Sequence, residues 1–263
     1  MRSARRRCKV SGPVLVTVAI VIVACTHPAA RSGVTLGRPS GAVTVRPVAD
    51  TATEHIRVIG WSRDHRAIRA VQVGDADSPD RVLVVGCIHG NERAGIAITR
   101  ALARAGVPRE VDLWLIPVLN PDGAARNTRG NGRGVDLNRN FPYRWRPLTG
   151  LYSSGPHALS EPESRAAARL IDRLKPTLAI WYHQHLNVVD GSEGPVRLVR
   201  RYAADTHMRV ASLSDEPGSA TGYENHRFGA TAFVVELPAG QLDQQRLRRH
   251  VRAVLDVATS RRA

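Results

Sequence analysis

The sequence predicts an α/β fold, a single domain built on a mixed, mostly parallel sheet with helices on both faces. Three observations carry this expectation. Four runs are continuously apolar rather than alternating: RVLVVGCIH (81–89), VDLWLIPVL (111–119), TLAIWYH (177–183) and TAFVVEL (231–237). Such runs mark strands buried on both faces. Segments with helical spacing lie between or after them, at 92–106, 160–176, 194–207 and 241–260. The alternation of strand and helix is the pattern of a parallel sheet covered by helices.

The elements follow in order. Residues 1–24 read as a targeting segment: MRSARRRCK carries five positive charges and no acid, and the apolar stretch 14–24 is short for a spanning helix. It ends in Ile22-Val23-Ala24-Cys25, which resembles a bacterial lipobox with Cys25 as the lipidated residue; a plain secretory signal with a chance cysteine is the alternative. Residues 25–52 are rich in Pro, Ala, Gly, Ser and Thr and read as a tether. The domain is expected over 53–263. HIRVIGW (55–61) and RAIRAVQVG (66–74) read as a hairpin. ERAGIAITRALARAG (92–106) reads as a helix ending at glycine. The long polar segment from Asn120 to about Leu159 reads as a functional loop. Ser160 with Glu163 three residues on gives a capping-box pattern for the next helix. QLDQQRLRRHVRAVLDVATS (241–260) reads as a closing amphipathic helix.

Composition narrows the partners. The chain has 263 residues, 43% hydrophobic and 5% aromatic, so the core is expected to be mainly Val, Leu, Ile and Ala. Its formal charge is +15, almost all arginine, since Lys9 and Lys175 are its only lysines. The charges are scattered, with no basic run beyond the N-terminus and no interleaved aromatics, which argues against nucleic acid as a partner. Loss of residues 1–24 would take five positive charges and leave +10, a balance suited to an anionic substrate or envelope polymer. Cys25 and Cys87 would remain, so no disulfide scaffold is indicated.

The candidate chemistry sits at strand ends, where open α/β sheets place their ligands. His89 and Glu92, in CIHGNERAG, follow the first buried run. His183 ends the 177–183 strand and Glu236 lies near the end of 231–237. NPDG (120–123) and DLNRN (136–140) follow the 111–119 strand. A single histidine is more often a satisfied core or surface group. Two histidines and a glutamate, with a fourth position left for water, are the make-up of a catalytic zinc site.

HGNE (89–92), NPDG, RGNGRGVDLNRNFP (129–142), the His183 strand end and FVVELP (233–238) occur in the order found in the M14 family of zinc carboxypeptidases, which the chain resembles over roughly residues 80–240. Its compact form most resembles the bacterial murein peptide amidase branch, enzymes that cut between D-glutamate and diaminopimelate in wall peptides. The resemblance implies Zn2+ as cofactor with His89, Glu92 and His183 as ligands, and Glu236 as general base. It implies Arg129, with Arg126 as the alternative, on the scissile carbonyl, and Asn138 and Arg139 on a substrate carboxylate. It implies a peptide or muropeptide substrate; the N-terminal segment adds an extracytoplasmic location with a lipid anchor, or secretion if Cys25 is not lipidated. A carboxypeptidase on ordinary peptides, an aspartoacylase-like deacylase and a non-catalytic envelope module are the alternatives. One departure stands out: Leu213 or Ser214 falls where pancreatic-type members have a substrate-capping tyrosine, and Tyr223 is the nearest aromatic. The specificity pocket is expected near Ala220 and Thr221, with no acidic partner for a cationic side chain. His185 is a possible extra contact.

Overall fold

A computed structural model describes residues 55–192, 196–213 and 216–260. The expectations for residues 1–24, Cys25 and the tether over 25–52 lie outside the described residues. Among those described, no helix is long and apolar enough to cross a membrane.

Seven strands form one mixed sheet: β1 His55–Trp61, β2 Ala67–Gly74, β3 Arg81–Val85, β4 Asp112–Ile116, β5 Leu178–Asp190, β6 Arg209–Ala211 and β7 Thr231–Pro238. The order is β1-β2-β4-β3-β5-β6, with β7 also on β5. β1 and β2 form the expected antiparallel hairpin, and β2 joins β4 antiparallel. β3, β4, β5, β6 and β7 pair in parallel. Every residue of β4 is buried, as its unbroken apolar run requires of a strand covered on both faces.

Among the described residues six α-helices flank the sheet: α1 Gly95–Arg104, α2 Pro121–Arg126, α3 Pro162–Leu174, α4 Val196–Thr206, α5 Ala220–Phe228 and α6 Gln244–Thr259. Side-chain alternation divides the core in two. On one face Ile180, Tyr182 and Val235 pack with Ile98 of α1, Tyr202 of α4 and Val254 of α6. On the other, Ala179, Trp181 and Ala232 pack with Leu170 of α3 and Tyr223 of α5. His183 and Glu236 continue the second face by two residues, beyond the last core side chains.

Two local expectations are corrected. Ser160 does not cap α3: the N-cap is Glu161, without a side-chain cap bond, and Pro162 opens the helix. Other partners claim the box residues instead: Ser160 Oγ donates to its neighbour Glu161 and accepts from Asn140 Nδ2, and Glu163 accepts from the Arg63 N–H and Asn131. α5 was not foreseen. It is capped by Ser219 Oγ, ends at Gly229 with φ 61°, and is tied to β5 by a 2.7 Å bond from Trp181 Nε1 to buried Glu224. Burial pushes the Glu224 carboxyl up to about 8 despite that bond.

The long segment after β4 is ordered without much regular structure. Side-chain amides satisfy its backbone: Asn131 Oδ1 accepts from the N–H groups of Arg133 and Val135, and Asn140 Nδ2 donates to the carbonyls of Ser154 and His157. α2 within this segment packs directly on the turn that carries His89. A Cβ at Gly90 would lie 1.9 Å from the Gly123 carbonyl carbon and 2.2 Å from Ala124 N. Gly90→Ala is therefore expected to cost at least about 1–3 kcal/mol, the range for forced overpacking, and to weaken metal retention by displacing His89. Thermal melts alongside zinc analysis check this; a variant with unchanged melting and metal content would show that the turn can give way.

Candidate metal centre and active site

One turn and two neighbouring strands build the site; β5 runs on to Asp190, so His183 lies within the strand and not at the end expected for it. His89 lies four residues beyond β3, on the turn that leads to α1, and Glu92 closes that turn with its N–H bonded to the His89 carbonyl at 3.0 Å. His183 is within β5, in register with Glu236 on the adjacent parallel strand β7. His89 Nδ1 and His183 Nδ1 each stand 3.0 Å from Glu92 Oε2 and 3.1 Å from each other. All three residues are buried, and they form a group able to hold a metal ion. Two facing Nδ1 atoms on one carboxylate oxygen leave room for only one shared proton, and the second N–H would clash with the first. A cation satisfies all three at once. Ligand atoms of a tetrahedral zinc, at about 2.0–2.2 Å from the ion, stand roughly 3.2–3.5 Å apart, within a few tenths of an ångström of the distances here. The residues fit zinc.

The surroundings orient these ligands. Asp136 Oδ1 meets His89 Nε2 at 2.8 Å and also accepts from the Asn138 N–H at 2.9 Å. Asp136 Oδ2 accepts from Arg129 Nε at 2.9 Å, and Arg129 Nη1 reaches Glu92 Oε1 at 3.0 Å. Burial by itself would raise the Asp136 and Glu92 carboxyls, but the neighbouring histidines, and Arg129 for Asp136, hold both well below the usual carboxylate range. Burial would lower the His89 pKa, yet Asp136 and Glu92 raise it. His183 has no such brace: its Nε2 is buried without a hydrogen-bond partner. Its orientation comes from β5 and from the edge-on His89 ring, 4.7 Å away between centroids. Cys87 Sγ is turned onto the His89 carbonyl at 3.1 Å, and burial pushes its thiol up to about 12.

DLNRN carries no local sign of the role of Asp136, because the brace it forms spans 47 residues of sequence. Asp136→Asn would set an amide N–H₂ against one of three donors. We expect zinc affinity to fall about 10–100-fold, as for lost outer partners of ligating histidines, measured by competition with a chelator. Unchanged affinity would show that the turn alone holds His89.

A cavity of about 290 Å³ opens on the ligand cluster and is lined by His89 and His183 together with Arg129, Asn138, Arg139 and Glu236. Arg126 is elsewhere, paired with Asp64 and bonded to the Gly132 carbonyl. Asn138 Oδ1 accepts the Ala220 N–H at 3.0 Å, which links the loop to the start of α5. Thr221 lines the cavity, whereas His185 is exposed outside it and Tyr223 is turned into the core with its hydroxyl on Asp172. The expectation of a pocket without acids is corrected: Asp190 and Glu216 both line the cavity. They come from beyond the β5 core and from the segment before α5, so no local pattern announces them. Tyr152 lines it too, its ring 5.2 Å from the Arg129 guanidinium and 5.5 Å from that of Arg139.

A mixed α/β sheet with a buried His-Glu-His cluster, an acid beside it and two arginines over the same cavity defines a metallohydrolase. The family model described as zinc carboxypeptidase matches residues 50–190, and the chain belongs to that family, the M14 zinc metallopeptidases, which makes it an enzyme. Murein peptide amidase A of Escherichia coli (strain K12) is 30% identical over 129 residues, covering 44% of this chain and 53% of that one. The protein of the same name from Vibrio campbellii is 31% identical over 128 residues, covering 43% and 52%. The chain thus spans about half the length of the curated relatives it matches. Among solved structures, the murein-tripeptide amidase of Escherichia coli O157 superposes with a TM-score of 0.64 at 21% identity, covering 81% of this chain and 96% of that one. Carboxypeptidase A of Helicoverpa armigera gives a TM-score of 0.68 at 20% identity, covering 81% and 70%. At these identities the structures show the shared fold.

Proposed function

We propose that this enzyme hydrolyses an amide bond in peptidoglycan stem peptides, between the γ-carboxyl of D-glutamate and diaminopimelate. The observation that carries the proposal is the shared cavity, lined by His89, His183 and Glu236 together with Arg129, Asn138 and Arg139. Such a cavity suits an amide flanked by carboxylates, and the amidase names of the relatives support the same substrate class. When bound by His89, Glu92 and His183, zinc supplies a Lewis acid and brings the pKa of water towards neutrality. Glu236 takes the proton from the attacking water and passes it to the leaving amine. Arg129, already oriented by Asp136, holds the carbonyl oxygen as negative charge develops there. Arg139 and Asn138 position the substrate carboxylate, for which a planar guanidinium is suited.

The test offers one preparation a defined muropeptide and a plain peptide ending in arginine, with products identified by mass. Cleavage of the muropeptide and little trimming of the peptide is expected. Asp190 and Glu216 in the cavity favour a second reading, a carboxypeptidase for cationic C-terminal residues; trimming of the arginine peptide with the muropeptide untouched would put that reading in place of the first.

The mature enzyme is further proposed to begin at Cys25, lipidated and facing the wall, with the domain tethered through residues 25–52. The lipobox-like ending of the apolar stretch supports this. Cys25→Ala is expected to leave the membrane fraction or to remain unprocessed; identical soluble behaviour of both forms would instead mean a plain signal peptide.

A further inference from the structure

We infer that one wall of the active-site cavity reads an ammonium beside a carboxylate, with Glu216 as the residue that recognises the ammonium. The inference rests on the proposed cavity for substrate and adds what that cavity selects. Arg139 is almost wholly buried, its side chain 7% exposed, and its guanidinium is already engaged in the free enzyme. Nη1 donates to the Asn138 carbonyl at 3.0 Å and Nη2 pairs with Glu216 Oε2 at 2.8 Å. The Tyr152 ring lies against the same guanidinium. Glu216, 39% exposed on its side chain, is held beside Arg139 by the backbone. Gly218 donates to the Tyr143 carbonyl and accepts from the Phe141 N–H, and a Cβ at Gly218 would lie 2.3 Å from the Arg139 carbonyl oxygen. Nearby, Asp190 Oδ1 accepts from the Leu213 N–H and from Ser192. The wall is therefore a built feature of the cavity.

This pairing changes what Arg139 can accept. A ligand bearing only a carboxylate there meets Glu216 as a like charge or must displace it, and either costs binding. A ligand with an ammonium next to that carboxylate supplies a counter-charge to Glu216 while its carboxylate shares Arg139. An ammonium also brings three donors to an acceptor-only carboxylate. The cavity thus prefers a zwitterionic end, the group found on the free side-chain end of diaminopimelate, over an anionic or a purely cationic one. Selectivity arises here as much from rejecting the wrong charge as from attracting the right one.

The test measures binding without turnover, on zinc-loaded Glu236→Gln protein, by calorimetry with three probes. With the glutamyl α-amine acetylated in every probe, N-acetyl-γ-D-glutamyl-diaminopimelate carries the zwitterionic side-chain end, the 2-aminopimelate analogue lacks the ammonium of that end, and the lysine analogue lacks the carboxylate of that end. The first is expected to bind at least about tenfold tighter than either of the others, as for one charge-assisted bond. Adding Glu216→Gln is expected to bring the first two within about twofold of each other. Equal binding of the three probes, or a preference that survives Glu216→Gln, would overturn the inference. So would equal tightening of all three by Glu216→Gln, which would mean that Glu216 merely occupies Arg139. Because binding needs no bond to be cut, the preference in Glu236→Gln protein together with wild-type enzyme that leaves muropeptides intact removes the amidase reading alone.

Discussion

Glu236→Gln leaves the metal in place and lowers turnover by about 10²–10⁴-fold, the range expected for loss of a general base. The substitution is nearly isosteric but cannot accept a proton. Glu236 lies in register with His183 on the neighbouring strand and lines the same cavity. Its carboxylate meets the Leu186 N–H at 3.4 Å, and no ion pair holds it among the described residues. The carboxylate is thus only weakly engaged by the protein and stands on the cavity that His183 also lines. The measurement is steady-state turnover with parallel zinc analysis. Activity within a few-fold of wild type at full metal content would remove Glu236 from the mechanism.

His183→Ala is expected to take bound zinc from about one per chain to near zero, and activity with it, because two protein ligands remain of the three a catalytic zinc site uses. The loss should exceed that for Asp136→Asn, which disturbs a ligand without deleting it. Among the described residues, the ligand cluster is His89, Glu92 and His183, with no fourth histidine or cysteine to substitute. Elemental analysis on folded protein, with circular dichroism as the check on folding, decides the matter. Full occupancy in His183→Ala would exclude that residue as a ligand.

Much of this site is legible in the chain because its key spacings are local. His89 and Glu92 share one turn, so three residues of separation suffice to bring Nδ1 and Oε2 within 3.0 Å. The strand runs are equally legible, since burial on both faces demands unbroken apolar sequence. Other elements had weaker local signals. β6 has only three residues, too few for any period. α5 buries its first five residues, including Glu224, and so lacks a clear polar face; its cap residues Ser219 and Gly229 were the available clue. The capping-box pattern at Ser160 misled because Glu163 is drawn to Arg63, 100 residues away.

By itself the sequence determined six of the seven described strands and the residue types at the candidate site, through periodicity and short-range spacing, while the order of the site motifs was legible through the resemblance to the M14 family. Only the tertiary structure shows that Arg129 and Arg126 lie in different places. Both sit in one arginine-rich loop, and only folding puts Arg129 on Asp136 and Glu92 while Arg126 turns to Asp64. It alone brought Tyr152 over the two arginines and placed Asp190 and Glu216 on the cavity wall. Glu216 and Arg139 are 77 positions apart in the chain, yet their charges stand 2.8 Å from each other. Electrostatic partners act through distance in space, falling off over a few ångströms, and chain separation carries no record of that distance until the sheet and its loops are folded.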